Sequence, residues 1–259
     1  MKYFLPFPPA LRGVVAAVLI GLLPVASGLL VMRWHVERSL AVEAGHIAGE
    51  AVRQVDNIID QAAQSAKRLM PLAGQPCAAV LQRIRDEVTL EPLVRSANLL
   101  RNQQAYCSSF YGAYQRTVDA TEYSDHNLLL RASNSVTPDE ASLVYRHYEQ
   151  PLGVRAVIDG RTLARVLRQI EGNATLVLQV GDALLWSNGS ISDGDGPDHA
   201  EHHTLLASER YGYQMHSGFA PGSTRAHLKT QALSTVGGLL LLGVLTGGVC
   251  HWLYRRPRR

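Results

Sequence analysis

Two cysteines, Cys77 and Cys107, stand thirty residues apart in a long polar segment of this 259-residue chain. The second lies inside Tyr106-Cys107-Ser108-Ser109-Phe110-Tyr111-Gly112. Two thiols can be joined by two-electron oxidation, and such bonds persist in compartments more oxidising than the cytoplasm. The spacing is not the Cys-x-x-Cys of a dithiol oxidoreductase. Closing a loop of about 31 residues removes unfolded-state entropy worth roughly 3–4 kcal/mol in the chain-entropy model. The pair is therefore either a structural staple or a redox-adjustable clamp, and the residues alone leave both open. Ser108 and Ser109 have no assignable histidine and acid, so they are expected to donate and accept hydrogen bonds at a strand end. Cys250 falls in an apolar run and reads as inert filler.

A second cluster, Asp198-His199-Ala200-Glu201-His202-His203, gathers three imidazoles and two carboxylates. The donor types suit zinc or copper. Adjacent residues on one loop or strand seldom all face one ion, so no metal and no other cofactor is expected. His199, His202 and His203 are the weak candidates, with a pH-responsive patch as a further reading. Tyr106, Tyr111, Tyr114 and Arg155 are candidates to line a small-ligand pocket.

These residues must be positioned by what flanks them. Gly13–Met32 is 20 residues without a charge, long enough to cross about 30 Å of hydrocarbon. A cleaved signal peptide is the alternative, with Ala26, Ser27 and Gly28 as small residues. Pro24 is expected to kink the span. Leu233–Tyr254 is a second apolar run of 22 residues, ending in Trp252 and Tyr254. Arg255, Arg256, Arg258 and Arg259 follow it, and Lys2 and Arg12 precede the first run, which places both termini in the cytoplasm. All 22 acidic residues and 19 of the 25 basic ones lie between the runs, so that segment is mildly acidic. The basic total is a topology signal, and no nucleic-acid partner is expected. The lipid bilayer is the expected partner.

Past the first run, Val36, Leu40, Ala44, Ile47, Ala51, Val55, Ile58, Ala62, Ala66 and Leu69 recur at about 3.7-residue steps, an eleven-residue repeat. The spacing predicts a helix over 33–70 stopped at Pro71, its stripe packing on its own domain or forming, together with the membrane spans, a homodimer seam. A short helix is expected from Cys77 to about Glu87. Strands are expected at Pro92–Leu100, Ala105–Ser109, Asn127–Ala132, Ser142–Tyr148, Gly153–Ile158, Ala174–Val180, Ala183–Ser187, His203–Ser208 and Tyr211–Gly218. A turn is expected at Thr137–Glu140, an amphipathic helix at Arg161–Ile170, and a loop at Asn188–Pro197. The class is α+β: two transmembrane helices flanking an extracytoplasmic PAS-like or Cache-like domain with a long N-terminal helix and an antiparallel sheet.

Tyr106-Cys107-Ser108-Ser109, the upstream Cys77, the hairpin context Leu93–Tyr106, the Gly153–Ile170 strand-to-helix unit and the two runs together resemble the CSS-motif family. That family is the periplasmic sensor found ahead of EAL-type cyclic-di-GMP phosphodiesterases. The resemblance implies residues 1–12 cytoplasmic, 13–32 and 233–254 in the inner membrane, 33–232 periplasmic and 255–259 cytoplasmic. It implies that Cys77 and Cys107 are the family's paired cysteines, acted on by the periplasmic disulfide-forming machinery. Their oxidation would restrain, and their reduction favour, an attached phosphodiesterase. The residues to Arg259 contain no Glu-Ala-Leu segment, so the chain itself is not expected to be the enzyme.

Overall fold

The computed structural model describes residues 9–132, 141–194, 196–197 and 200–255. The expected turn at 137–140 and His199 lie outside them. The chain divides into two compact units, Ala41–Ala220 and Met1–Leu40 with Pro221–Arg259.

Helix α1 (Pro9–Leu69) is continuous through Pro24, so the first apolar run and the expected 33–70 helix are one element. Lys67 and Arg68 occupy its last turn, where cations complement the C-terminal end of the helix dipole. Pro71 then ends it in a 3-10 turn, Met70–Leu72. All ten stripe residues from Val36 to Leu69 are buried. The stripe is consumed within the chain's own fold, so a homodimer through this helix would use its other faces.

Helix α2 (Cys77–Leu90) follows, three residues longer than its periodicity suggested. Six strands then build the first sheet: β1 (Val94–Arg101), β2 (Gln104–Ser108), β3 (Gly112–Thr117), β4 (Leu128–Ala132), β5 (Ala141–Glu149) and β6 (Leu152–Asp159). Their order is β3-β2-β1-β6-β5-β4, all neighbours antiparallel. Asn102 and Gln103, with φ of 47° and 60°, make the tight β1–β2 turn whose twist matches the strands. One face of this sheet carries Leu99, Cys107, Leu143, Val154 and Ile158, all fully buried. The other carries Ser96, Asn98, Arg131, Val144 and Arg155, as the registers and the two-residue side-chain period require.

Helix α3 (Gly160–Glu171) is capped by Asp159, whose carboxylate accepts from Arg161 N at 3.0 Å. A Cβ on Gly160 would sit 2.4 Å from the carbonyl oxygen of Ala141. Gly160→Ala is therefore expected to cost about 1–3 kcal/mol by overpacking, read as a lower denaturation midpoint.

A second sheet comprises β7 (Thr175–Val180), β8 (Ala183–Trp186), β9 (Ile191–Asp193), β10 (Glu201–Ala207) and β11 (Gln214–Phe219), ordered β10-β11-β7-β8-β9. The expected single sheet is thus two. β3 and β9 are additions, the latter a three-residue strand inside the expected loop. Both extend a sheet edge with mostly polar residues, so they lack the apolar alternation that marks a strand.

Within this unit α1 is held by hydroxyls of the connection between β10 and β11. The Asp56 carboxylate accepts from Ser208 Oγ and Tyr213 Oη, each at 2.8 Å. Tyr211 Oη donates to Asp60 at 2.5 Å, and Arg210 pairs with the same carboxylate. Burial, then the neighbouring aspartates, push both phenols well above the ordinary tyrosine range. Each phenol is neutral when protonated, so the raised folded value favours folding below the unfolded value of about 10 and less so above it. Domain stability is expected to fall as pH rises beyond about 10, and Tyr211→Phe with Tyr213→Phe to flatten that fall in pH-dependent unfolding.

The other unit pairs the N-terminal part of α1 with helix α4 (Ser223–Arg255). Both contain a stretch long and apolar enough to cross a membrane. Leu22, Leu23, Leu30, Leu241, Val244 and Leu253 are exposed there, as lipid-facing side chains are. Gly21 and Gly243 meet at the crossing, where a Cβ on Gly243 would lie 2.6 Å from the Gly21 carbonyl oxygen. Close backbone approach at small residues is how apolar helices pack without a hydrophobic driving force.

Candidate functional site

Cys77 and Cys107 are joined by a disulfide with Cα atoms 5.3 Å apart. The bond ties the first residue of α2 to β2. Proline 76 precedes Cys77, and its fixed φ suits the helix entrance. Val80 and Ile84 bury the inner face of α2, and Leu81 reaches toward Gly112 on β3. Arg68 at the end of α1 bridges Glu87 on α2, at 2.7 Å, and Glu91 at the C-cap of that helix. One short helix therefore carries both the covalent link to β2 and an ionic link to α1.

The two sulfurs differ in access. Cys107 is fully buried and Cys77 half-buried. A thiolate can reach only an accessible sulfur, and Cys77 is the more exposed residue of the two.

A bulge in β2 decides where the adjoining residues point. Ser108 pairs with Asn98 and Ala105 with Leu100, leaving one extra residue in between. Tyr106 and Cys107 consequently share one side. Tyr106 Oη accepts from Gly74 N at 2.9 Å, and the Arg101 guanidinium stands 5.1 Å from its ring. Ser109 Oγ accepts from Ala97 N at 3.1 Å, and its backbone N donates to Ala97 O at 2.9 Å. Ser108 Oγ accepts from Phe110 N at 3.2 Å, closing the turn after β2.

Ser108 faces the opposite side of the sheet, where a cavity of about 110 Å³ opens. Arg95, Asn98, Tyr111, Tyr114, Arg131 and Arg155 are among its lining residues, with Arg116 at the rim. Of the four aromatic and basic residues singled out in the sequence, Tyr111, Tyr114 and Arg155 meet here and Tyr106 does not. An adjoining cavity of about 170 Å³ is lined again by Arg116, Arg131 and Arg155, with Asp119 and Glu122. Tyr114 Oη donates to Asn98 Oδ1 at 3.1 Å. Arg116 and Arg131 escaped sequence reading; the one signal was the charge of Arg155 inside an otherwise apolar strand.

His202 and His203 lie on β10, and His199 is outside the described residues. His203 Nε2 and His216 Nδ1 are 3.1 Å apart, and His216 Nε2 lies 2.5 Å from Gln179 Oε1. His203 is thus engaged by a second imidazole on β11. Among the described residues no three His, Cys, Asp or Glu side chains group to hold a metal.

Residues 40–232 match the family described as the CSS motif domain associated with EAL. The chain belongs to the CSS-motif family. The chain shows an α+β fold of the kind seen in a periplasmic domain of known structure, and carries two helices apolar enough to cross a membrane. The periplasmic domain of RsbU from Chlamydia trachomatis is similar in structure, with a TM-score of 0.50 and 12% identity, over 75% of this chain and 97% of that one. The Campylobacter jejuni chemoreceptor Tlp3 sensory domain with isoleucine bound gives 0.45 at 10% identity, over 75% and 98%. The ligand-binding domain of Mlp24 with asparagine gives 0.44 at 12%, over 75% and 99%. No curated protein matches by sequence.

Proposed function

We propose that this CSS-motif chain is an inner-membrane, redox-responsive sensor module that regulates cyclic-di-GMP phosphodiesterase output through the Cys77–Cys107 disulfide. Residues 33–232 face the periplasm, and both termini are cytoplasmic. The observation that carries the reading is the position of the bond: it fixes α2 to β2 while α2 is also bridged to the end of α1 through Arg68.

In the switch, a thiolate of a periplasmic dithiol attacks Cys77 Sγ and the S–S bond breaks. Cys107 leaves as a thiolate and takes up a proton. The reductant's second thiol then resolves the mixed disulfide, releasing Cys77. Two electrons pass to this protein, and the reductant ends as a disulfide. Freed of the bond, the α2 entrance can move relative to β2, and α1 with it. A homodimer through the outer face of α1, where Val42 is 66% exposed, would carry that change to a partner copy. The disulfide-forming machinery reverses it.

The test is thiol alkylation with mass mapping in intact cells, with and without that machinery, alongside cyclic-di-GMP turnover. The reading expects a free Cys77–Cys107 pair and raised turnover when oxidation is blocked. A pair that stays oxidised, or Cys77→Ser with Cys107→Ser leaving turnover unchanged, would sink it.

A further inference from the structure

The sheet face opposite the disulfide holds a concentration of positive charge that the redox reading does not use. Arg155 sits mid-strand on β6, pairing in register with Asn98 on β1 and Arg146 on β5. It is only 5% exposed, and its Nε has no hydrogen-bond partner among the described residues. Among the described residues no carboxylate lies within ion-pair distance of Arg116, Arg131 or Arg155. Arg146 is accounted for differently: it donates to Asn127 Oδ1 and lies 4.4 Å from the Tyr123 ring centroid.

Guanidinium groups stay charged in proteins, and a buried one without a counter-ion is costly. Burial first, and then Arg116 and Arg155 close by, pull the Arg131 guanidinium below its ordinary value, with Tyr123 and Glu122 offsetting part of that. An anion entering here would relieve that repulsion and satisfy the orphaned donor. Guanidinium forks match planar carboxylates in two-point hydrogen bonds. Three of them suit a ligand with two carboxylates, and a cavity of about 110 Å³ suits a small one. Asn98 and Ser142 add neutral polar groups, and Tyr111 and Tyr114 supply an apolar wall.

We propose that this cavity is a binding site for a small dicarboxylate, held by Arg116, Arg131 and Arg155. The site goes beyond the redox reading and requires no change at the disulfide. Ser108 lines it while Cys107 next to it is in the bond, so the two features stand back to back across β2.

The test is calorimetric titration of the full chain in detergent micelles, kept oxidised, with succinate, inorganic phosphate and sodium chloride at matched ionic strength. Succinate is expected to bind saturably at one site. Arg155→Met should weaken it by about tenfold or more, the loss of a charge-assisted contact. Arg131→Met, at a half-buried position, should do likewise and serves if Arg155→Met misfolds. No heat beyond that of sodium chloride, binding of phosphate without succinate, or binding undiminished in both variants would each overturn the proposal. None of these outcomes bears on the thiol mapping above, so the two readings fail separately.

Discussion

Replacing Cys77 with serine is expected to destabilise the sensor domain by about 3–4 kcal/mol, the chain-entropy value for the loop that the disulfide closes. Single domains are stable by about 5–15 kcal/mol, so the loss is a large fraction of the whole. Cys107→Ser should cost more. Cys107 is fully buried between Leu99 and Ala113 in the sheet register, and a hydroxyl there must find a partner or lose its hydration unrewarded, about 1–3 kcal/mol further. Wild type in excess reductant should match the Cys77 variant. Urea unfolding of the full chain in micelles, followed by circular dichroism, reads all three. Equal midpoints with and without reductant would show that the bond contributes nothing to folding.

Asp56→Ala is the second large effect. One carboxylate oxygen of Asp56 receives both Ser208 and Tyr213, and hydrogen bonds to a charged group contribute about 1.5–3 kcal/mol each. The substitution removes both acceptor contacts and leaves Ser208, 3% exposed, short of a partner. A loss of about 3–5 kcal/mol is expected. Asp56→Asn, which keeps an acceptor oxygen, should recover part of it. The same unfolding assay decides this, and a change below about 0.5 kcal/mol, the range of ordinary surface substitutions, would remove Asp56 from the account of how α1 is held.

Much of this fold was legible in the residues because the signals were local. The α1 stripe repeats along one helix, and its ten members are all buried. Arg101–Gln104 marked a turn through its polar run, and Asn102 and Gln103 adopt the left-handed conformations that close it. The disulfide partners were legible too, once the segment was placed outside the cytoplasm. What escaped was non-local. Arg116, Arg131 and Arg155 lie on β3, β4 and β6, and only the strand order and registers bring them to one face. Edge strand β3 carries Gln115, Arg116 and Thr117 exposed in succession, a run with no alternation to read. The aspartates that hold α1 were hidden likewise, since Asp56 meets residues about 150 positions later in the chain.

The bulge at Tyr106 has a further consequence. Side chains alternate along a strand, so sliding β2 by a single residue would turn Ser108 into the apolar interior and Cys107 out to the cavity. The pairing of β2 on both edges and the hydrogen bonds of Tyr106 and Ser109 to Gly74 and Ala97 oppose that slip. The covalent tether from α2 forbids it outright. On this view the sulfur bridge is a pawl that holds one alignment of the strand.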